Sequence, residues 1–341
     1  MLNSNLRAPA IAAFLSVSTI LACFVNTEKG AQKDASSQKP ILWMDPGDVA
    51  SLDFKYGVGG SEHQPQPPFR FLDEDLSGSR DKINVIDSNG VHWNLKWGRE
   101  VLPSAFCTRL AWACGFVAEA EYFVPQGRIE GAHRLSRAKS RVAGDGSFVD
   151  ARFQLRSGPM KYLKDHRWTW TDNPFLGTHE LQGLKLLAML VSDADAKNTN
   201  LGIFSDERDP QRYLYAISDW GRSLGKWGNL ATRTMRDCKG FSDQSYKFVA
   251  GVQNGRLLWN FNGVHRSDLT DDISVSDVQW LLQYLGKVTD QQIRIGLAAS
   301  GASPEETNCY TAALRERINQ LQKASEQAPG LAGSVTGKAT P

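Results

Sequence analysis

Apolar and polar positions alternate most clearly over residues 91–97. Val91, Trp93, Leu95 and Trp97 share one side of a predicted strand, and His92, Asn94 and Lys96 share the other. Residues 82–86 form a strand before it, joined through Asn89 and Gly90, a pair favoured in two-residue hairpin turns. A shorter run at 69–71 precedes a break at 76–79. The period then turns helical. Pro103 suits a first helical position, and Phe106, Leu110 and Ala113 recur up to a stop at Gly115, followed by a strand near 118–124. From 127 to 170 the pattern is irregular, with two Gly-rich breaks, which predicts a hinge or insert. Thr178 then caps a helix whose Leu181, Leu184, Leu187, Ala188 and Val191 form a buried stripe. It leads to Asp193 and Asp195. A hairpin of 201–204 and 213–218, around a charged turn at 205–212, ends at Asp219, and the periodic stretches 278–285 and 310–321 read as helices.

With 341 residues, 41% of them apolar and ten of them Trp, the chain can fill two cores. Its 39 basic and 37 acidic residues leave a net charge of +2, which gives no support to a nucleic-acid-binding stripe. The basic cluster Arg134, Arg137, Lys139 and Arg141 reads as a solvated loop.

Arg7 precedes an apolar run over 8–24 that closes on Ala22 and Cys23. A positive start, short apolar core and small-residue end predict a secretory signal over 1–22, with Cys23 placed as the lipidated residue of a bacterial lipobox. The alternative is an uncleaved anchor. The expected location is therefore outside the cytoplasm, as a membrane-anchored lipoprotein on the periplasmic side or in the cell envelope. Residues 23–40 read as a tether and 324–341 as a frayed tail. Cys107 and Cys114, seven apart on one helix, lie about 10 Å apart along its axis, too far to bridge. Cys238 and Cys309 could pair. No cysteine spacing suggests zinc.

Two short motifs carry the chemistry: Asp195-Ala-Lys197-Asn-Thr-Asn200, then Asp219-Trp-Gly221, with Lys96 about a hundred residues upstream. A strand lysine suits the non-transferred phosphates of a nucleotide, and a carboxylate after a buried helix, Asp195, can orient an acceptor hydroxyl and take its proton. Asn200 and Asp219 offer oxygens to one or two Mg or Mn ions. Lys197 can steady the transferring phosphate, and Gly78 lets backbone approach phosphates, as does the run Gly57, Gly59, Gly60. Without that chemistry, Asp195 would cap a turn, Asn200 would sit in a left-handed position and Asp219 would close a hairpin.

These segments, with Tyr56-Gly57-x-Gly59-Gly60, Lys96-Trp-Gly-Arg-Glu100, Arg109-Leu-Ala-Trp-Ala-x-Gly115 and Glu180-Leu-Gln-Gly183, resemble the atypical kinase-like superfamily. That group includes phosphatidylinositol kinases, HipA-type toxin kinases and secretory-pathway protein kinases; a set of exported bacterial kinase-like lipoproteins is more similar still. The resemblance implies an α+β, two-lobed kinase-like fold, with a strand-rich small lobe bearing one main helix and a mainly helical large lobe. The expected division is a small lobe at 41–125, a hinge or insert at 126–170 and a large lobe at 171–323. It implies ATP or another nucleotide with Mg or Mn, and phosphoryl transfer to a protein or small-molecule hydroxyl. The alternative is an inactive pseudokinase that binds a nucleotide or partner. By resemblance, Lys96 is the phosphate lysine, Asp195 the catalytic aspartate, and Asn200 and Asp219 the metal ligands. Departures are Asp193 and Ala194 where a His or Arg is usual, Trp220 for Phe in the metal motif, and no obvious glutamate partner for Lys96; Glu100 is favoured over Glu119 and Glu121. His179 and Trp220 are expected to be structural.

Overall fold

The computed structural model describes residues 38–78 and 80–327; the signal at 1–22 and the lipidation at Cys23 lie outside them. The chain enters on β1 (Lys39–Ile41), which pairs in parallel with a strand of the large lobe, so the end of the expected tether is structured. It then builds the small lobe: β2 (Phe69–Glu74), β3 (Lys82–Ile86), β4 (His92–Trp97), helix α1 (Val101–Ala113), β5 (Glu121–Glu130) and β6 (Ser147–Leu155). These five strands close into a barrel in the order β2-β3-β4-β6-β5, which leaves no sheet edge open. Phe69, Val85, Trp93, Leu95 and Phe153 fill it. Every residue of α1 except Trp112 is buried, because the helix is sandwiched between barrel and large lobe.

β7 (Met160–Tyr162) leads into the large lobe, followed by α2 (His179–Leu190), the hairpin of β8 (Leu201–Asp206) and β9 (Asp209–Ile217), and α3 (Cys238–Ser245). A second hairpin, β10 (Val249–Gln253) and β11 (Arg256–Trp259), precedes α4 (Arg266–Thr270), α5 (Val275–Leu285), α6 (Asp290–Ala299) and α7 (Pro304–Ser325). The architecture is α+β and two-lobed, as expected. Cys238 and Cys309 are bonded, joining α3 to α7, while Cys107 and Cys114 are free and buried. No helix among the described residues is long and apolar enough to cross a membrane.

Five expectations change. Residues 126–155 are barrel, not hinge, so the small lobe runs to Leu155; Gly127 is there because a Cβ would meet Phe148 at 2.6 Å. The Asn89–Gly90 turn is a three-residue loop in which Gly90 alone has positive φ, 76°. Asp87 supports it, accepting the N–H groups of Asn89 and Val91 and the Trp93 indole. The β8–β9 turn is tighter than 205–212, reduced to Glu207 and Arg208. Pro103 is the third helical residue of α1, not the first. The basic cluster is also more than solvated loop: Glu74 accepts the N–H groups of Ser136, Arg137 and Ala138.

Candidate active site

Lys96 is the penultimate residue of β4, on the barrel's outer face opposite Arg152 of β6. Gly98, at φ +100°, then turns the chain into α1. Across the interlobe cleft, the Lys96 ammonium lies 3.6 Å from Asp219 Oδ2. Asp219 follows β9, and Ser218 before it donates through its N–H (2.8 Å) and hydroxyl (3.0 Å) to the Asn200 carbonyl. Asn200 and Asp219 therefore stand at the same open end of the β8–β9 hairpin. Asn200 Nδ2 donates to the Asp195 carbonyl (2.8 Å) and carboxylate (3.2 Å), and no protein group among the described residues donates to its Oδ1. Lys197 Nζ is 2.9 Å from Asp195 Oδ2. Contacts thus link Lys96 to Asp219, Ser218 beside it to Asn200, and Asn200 and Lys197 to Asp195.

Glu100 does not pair with Lys96. It precedes α1 without a capping side-chain hydrogen bond and meets Arg80 at 2.5 Å, while the close carboxylate of Lys96 is Asp219. A Cβ on Gly221 would come 3.0 Å from Glu100 Cβ, so the Asp219–Gly221 turn packs directly on this residue. Gly78 lies in the loop that Arg80 ties to Glu100; its φ is +64°, its Cα faces open space and its carbonyl accepts Arg137. No contact joins Gly78 to Lys96 or the cleft carboxylates among the described residues. The Gly57–Gly59 run answers to packing instead, since side chains there would collide with Arg109 and the Tyr122 hydroxyl.

Electrostatics bind the cluster together. Burial and the neighbouring Arg152 lower the Lys96 ammonium, against the pull of Asp219, Glu100 and Glu121. Burial alone would raise the Asp219 carboxyl, yet Lys96, the Gly221 N–H and Arg152 hold it below its usual value.

Three neighbours of these residues escaped the sequence reading. Asp193 is buried, accepts the Asp195 N–H at 3.1 Å and leaves Oδ2 unpartnered; burial, with Asp219 and Asp195 nearby, raises its carboxyl to about 8. Arg233 donates to the Ala194 carbonyl and lies 3.7 Å from Asp195 Oδ1. Arg152 forms a buried pair with Glu121 at 2.8 Å beside Lys96. Only the register opposite Lys96 points to Arg152; neither Asp193 nor Arg233 has a local signal beyond its charge. His179 hydrogen-bonds Asp277 (2.6 Å) and Trp220 is buried in the core, both structural as expected.

Asn200 and Asp219 offer oxygens of the kind a hard divalent cation would take. The Asn200 amide nitrogen is engaged, which leaves its oxygen for a hard ion, and Asp219 Oδ2 is held by a lysine alone. No group of three or more His, Cys, Asp or Glu side chains is placed to hold a metal among the described residues. Mg²⁺ commonly takes one or two protein oxygens together with substrate phosphates, so this pair suits an ion that arrives with a nucleotide.

No family model and no curated protein matches the sequence. Solved structures do. The kinase CtkA of Helicobacter pylori, described as proinflammatory, aligns at 11% identity over 77% of this chain and 99% of its own, with TM-score 0.46. The Golgi casein kinase with Mn/ADP bound aligns at 13% over 79% of this chain and 75% of its own, with TM-score 0.35. HipA of Shewanella oneidensis MR-1, in a toxin–antitoxin complex with HipB and operator DNA, aligns at 10% over 76% and 65%, with TM-score 0.34.

Proposed function

We propose that this protein is a phosphotransferase, moving the terminal phosphoryl group of a nucleoside triphosphate to a hydroxyl of a protein or small molecule. The observation that carries this reading is the approach of Lys96 to Asp219 across the cleft, with Asn200 linking the same hairpin to Asp195. Lys96 would bind the non-transferred phosphates and shield their charge. Asn200 and Asp219 would hold Mg or Mn, which neutralises phosphate charge when bound. Asp195, oriented by Asn200, Lys197 and Arg233, would accept the hydroxyl proton as the acceptor oxygen bonds to the γ-phosphorus. The bond from γ-phosphorus to the bridging oxygen breaks, and a nucleoside diphosphate leaves. Lys197 stands beside Asp195, where it can meet the transferring group.

The test is nucleotide-dependent thermal stabilisation with and without Mg²⁺, alongside nucleoside diphosphate release. Asp195→Ala should keep the stabilisation and lose turnover by roughly 10²–10⁴-fold. Stabilisation without turnover in the unaltered protein would make it a nucleotide-binding pseudokinase; neither would end the reading. Export and anchoring through a lipid on Cys23 complete the proposal. Acyl labelling that persists in Cys23→Ser would count against that part alone.

A further inference from the structure

Apart from the cleft of Lys96 and Asp219, a second cavity of about 650 Å³ opens between the start of β5, the end of α1 and the link from β6 to β7. None of Lys96, Asp195, Asn200 or Asp219 lines it. Its wall is mainly apolar, with Leu52, Val58, Trp112, Phe116, Leu155 and Met160 contributing. That size, with a mainly apolar wall and few polar groups, matches a pocket for a small organic ligand.

The polar groups lean acidic. Glu119 forms part of the wall with its side chain only 12% exposed, and its one ion-pair contact is Arg156 at 3.4 Å. Asp45 and Glu62 also line the cavity. The basic side chains that line it are already engaged: Arg208 holds Asp206 at 3.0 Å, and the His63 ring sits 2.7 Å from the Gly59 carbonyl and 3.6 Å from Glu62. Burial raises the Glu119 carboxyl to about 7, against the opposing Arg156, Arg152 and Lys96.

We propose that this cavity binds a small amphipathic amine, its aromatic or hydrocarbon body against Trp112, Phe116 and Leu155 and its ammonium on Glu119. The charge balance favours a cation over a neutral or anionic head, and the enclosed apolar wall favours a hydrophobic body over a bare polyamine. The assignment stands independently of phosphoryl transfer, because it shares no residue with that cleft.

The experiment titrates the full chain with 4-phenylbutylamine, 4-phenylbutanol and 4-phenylbutyrate by calorimetry, without nucleotide. The amine should bind saturably and most tightly, and Glu119→Gln should weaken it by about tenfold or more, close to 1.4 kcal/mol, while barely changing the alcohol. Val58→Trp, at a site 38% exposed and therefore tolerant of a larger side chain, should weaken amine and alcohol alike. Equal binding of amine and alcohol to the unaltered protein overturns the assignment, as does amine binding that ignores both substitutions. An amine that fails to saturate at about 1 mM, a binding free energy near −4 kcal/mol, overturns it too.

Discussion

The Lys96 ammonium and the Asp219 carboxylate, 3.6 Å apart, join the barrel lobe to the large lobe at the point where β4 and β9 end. Each partner favours the charged form of the other, and Asp219 holds the end of a turn whose Gly221 packs on Glu100 at the start of α1. The contact is therefore both a cleft closure and the centre of the proposed phosphate and metal site. Asp219→Asn keeps the shape and removes the charge. Loss of one charge-assisted contact of about 1.5–3 kcal/mol predicts roughly 10–100-fold weaker Mg-dependent nucleotide binding, read by thermal shift. Unchanged affinity would remove Asp219 from the site.

Asp193 sets a pH dependence of stability. Its carboxyl titrates near 8 in the folded protein against an ordinary value of 3.8, so between those values the folded state binds more protons than the unfolded one. Its contribution to stability therefore falls as pH rises through that window and levels off above about 8. Glu119, raised from 4.5 to about 7, acts in the same direction. In Asp193→Asn the melting temperature should decline less steeply from pH 5 to 8, leaving the slope due to Glu119. An identical slope would mean that Asp193 is not buried as an acid. At the acid end the sign reverses, because Glu74 and Asp75, each lowered to about 2, lose their stabilising charge as pH falls through that range.

What the sequence makes legible follows from where a side chain meets a continuous apolar surface. α2 shows its buried stripe because one face packs on the core, and β4 alternates because one face fills the barrel. The cleft residues are legible through spacing, since a helix, a loop and a hairpin must bring Asp195, Asn200 and Asp219 to one end. β6 is not, because its Phe148 and Phe153 pack inward while Arg152 and Gln154 are buried against α1, so no simple alternation survives. Glu100 was mispaired because Arg80, from the β2–β3 loop, reaches it first, and only tertiary structure places that loop. Burial of Asp193 likewise depends on packing around the loop that follows α2.

The Cys238–Cys309 bond links residues 71 apart, tying α3 to α7. A loop of that length constrains the unfolded chain, and replacing both cysteines with serine should cost about 2–4 kcal/mol. Denaturant titration of Cys238→Ser/Cys309→Ser against the unaltered protein, each under non-reducing conditions, measures it. Cys107 and Cys114 should react with a thiol reagent only on unfolding, because burial pushes both thiols up and keeps reagent away. A difference below about 0.5 kcal/mol would show that the bond adds nothing to native stability.

Arg317 of α7 is fully buried, with no carboxylate partner among the described residues, and its contacts reach the end of α2. Its guanidinium lies 3.8 Å from the Phe241 ring and 4.8 Å from Trp227, and burial lowers its pKa. It donates to the carbonyls of Leu190 (2.7 Å), Met189 (3.3 Å) and Phe241 (3.3 Å), and to the hydroxyls of Ser192 and Ser245, both at 2.8 Å. The carbonyls at 189 and 190 are among those a helix leaves without internal partners at its C-terminus. Directly beyond them Ser192, at φ +53°, turns the chain into Asp193 and Asp195. Arg317→Met preserves volume but leaves the Leu190 carbonyl without its donor, while Met189 keeps the Ser192 N–H and Phe241 the Ser245 hydroxyl; with the guanidinium's ring contacts also gone, this predicts a loss of about 2–4 kcal/mol. Arg317→Lys should recover only part, since an ammonium lacks the planar fork that serves several carbonyls at once. If Arg317 anchors the loop that carries Asp193 and Asp195, amides 191–196 in Arg317→Met should exchange with solvent faster than those of the barrel. Equal acceleration in both lobes would assign the residue to global stability alone.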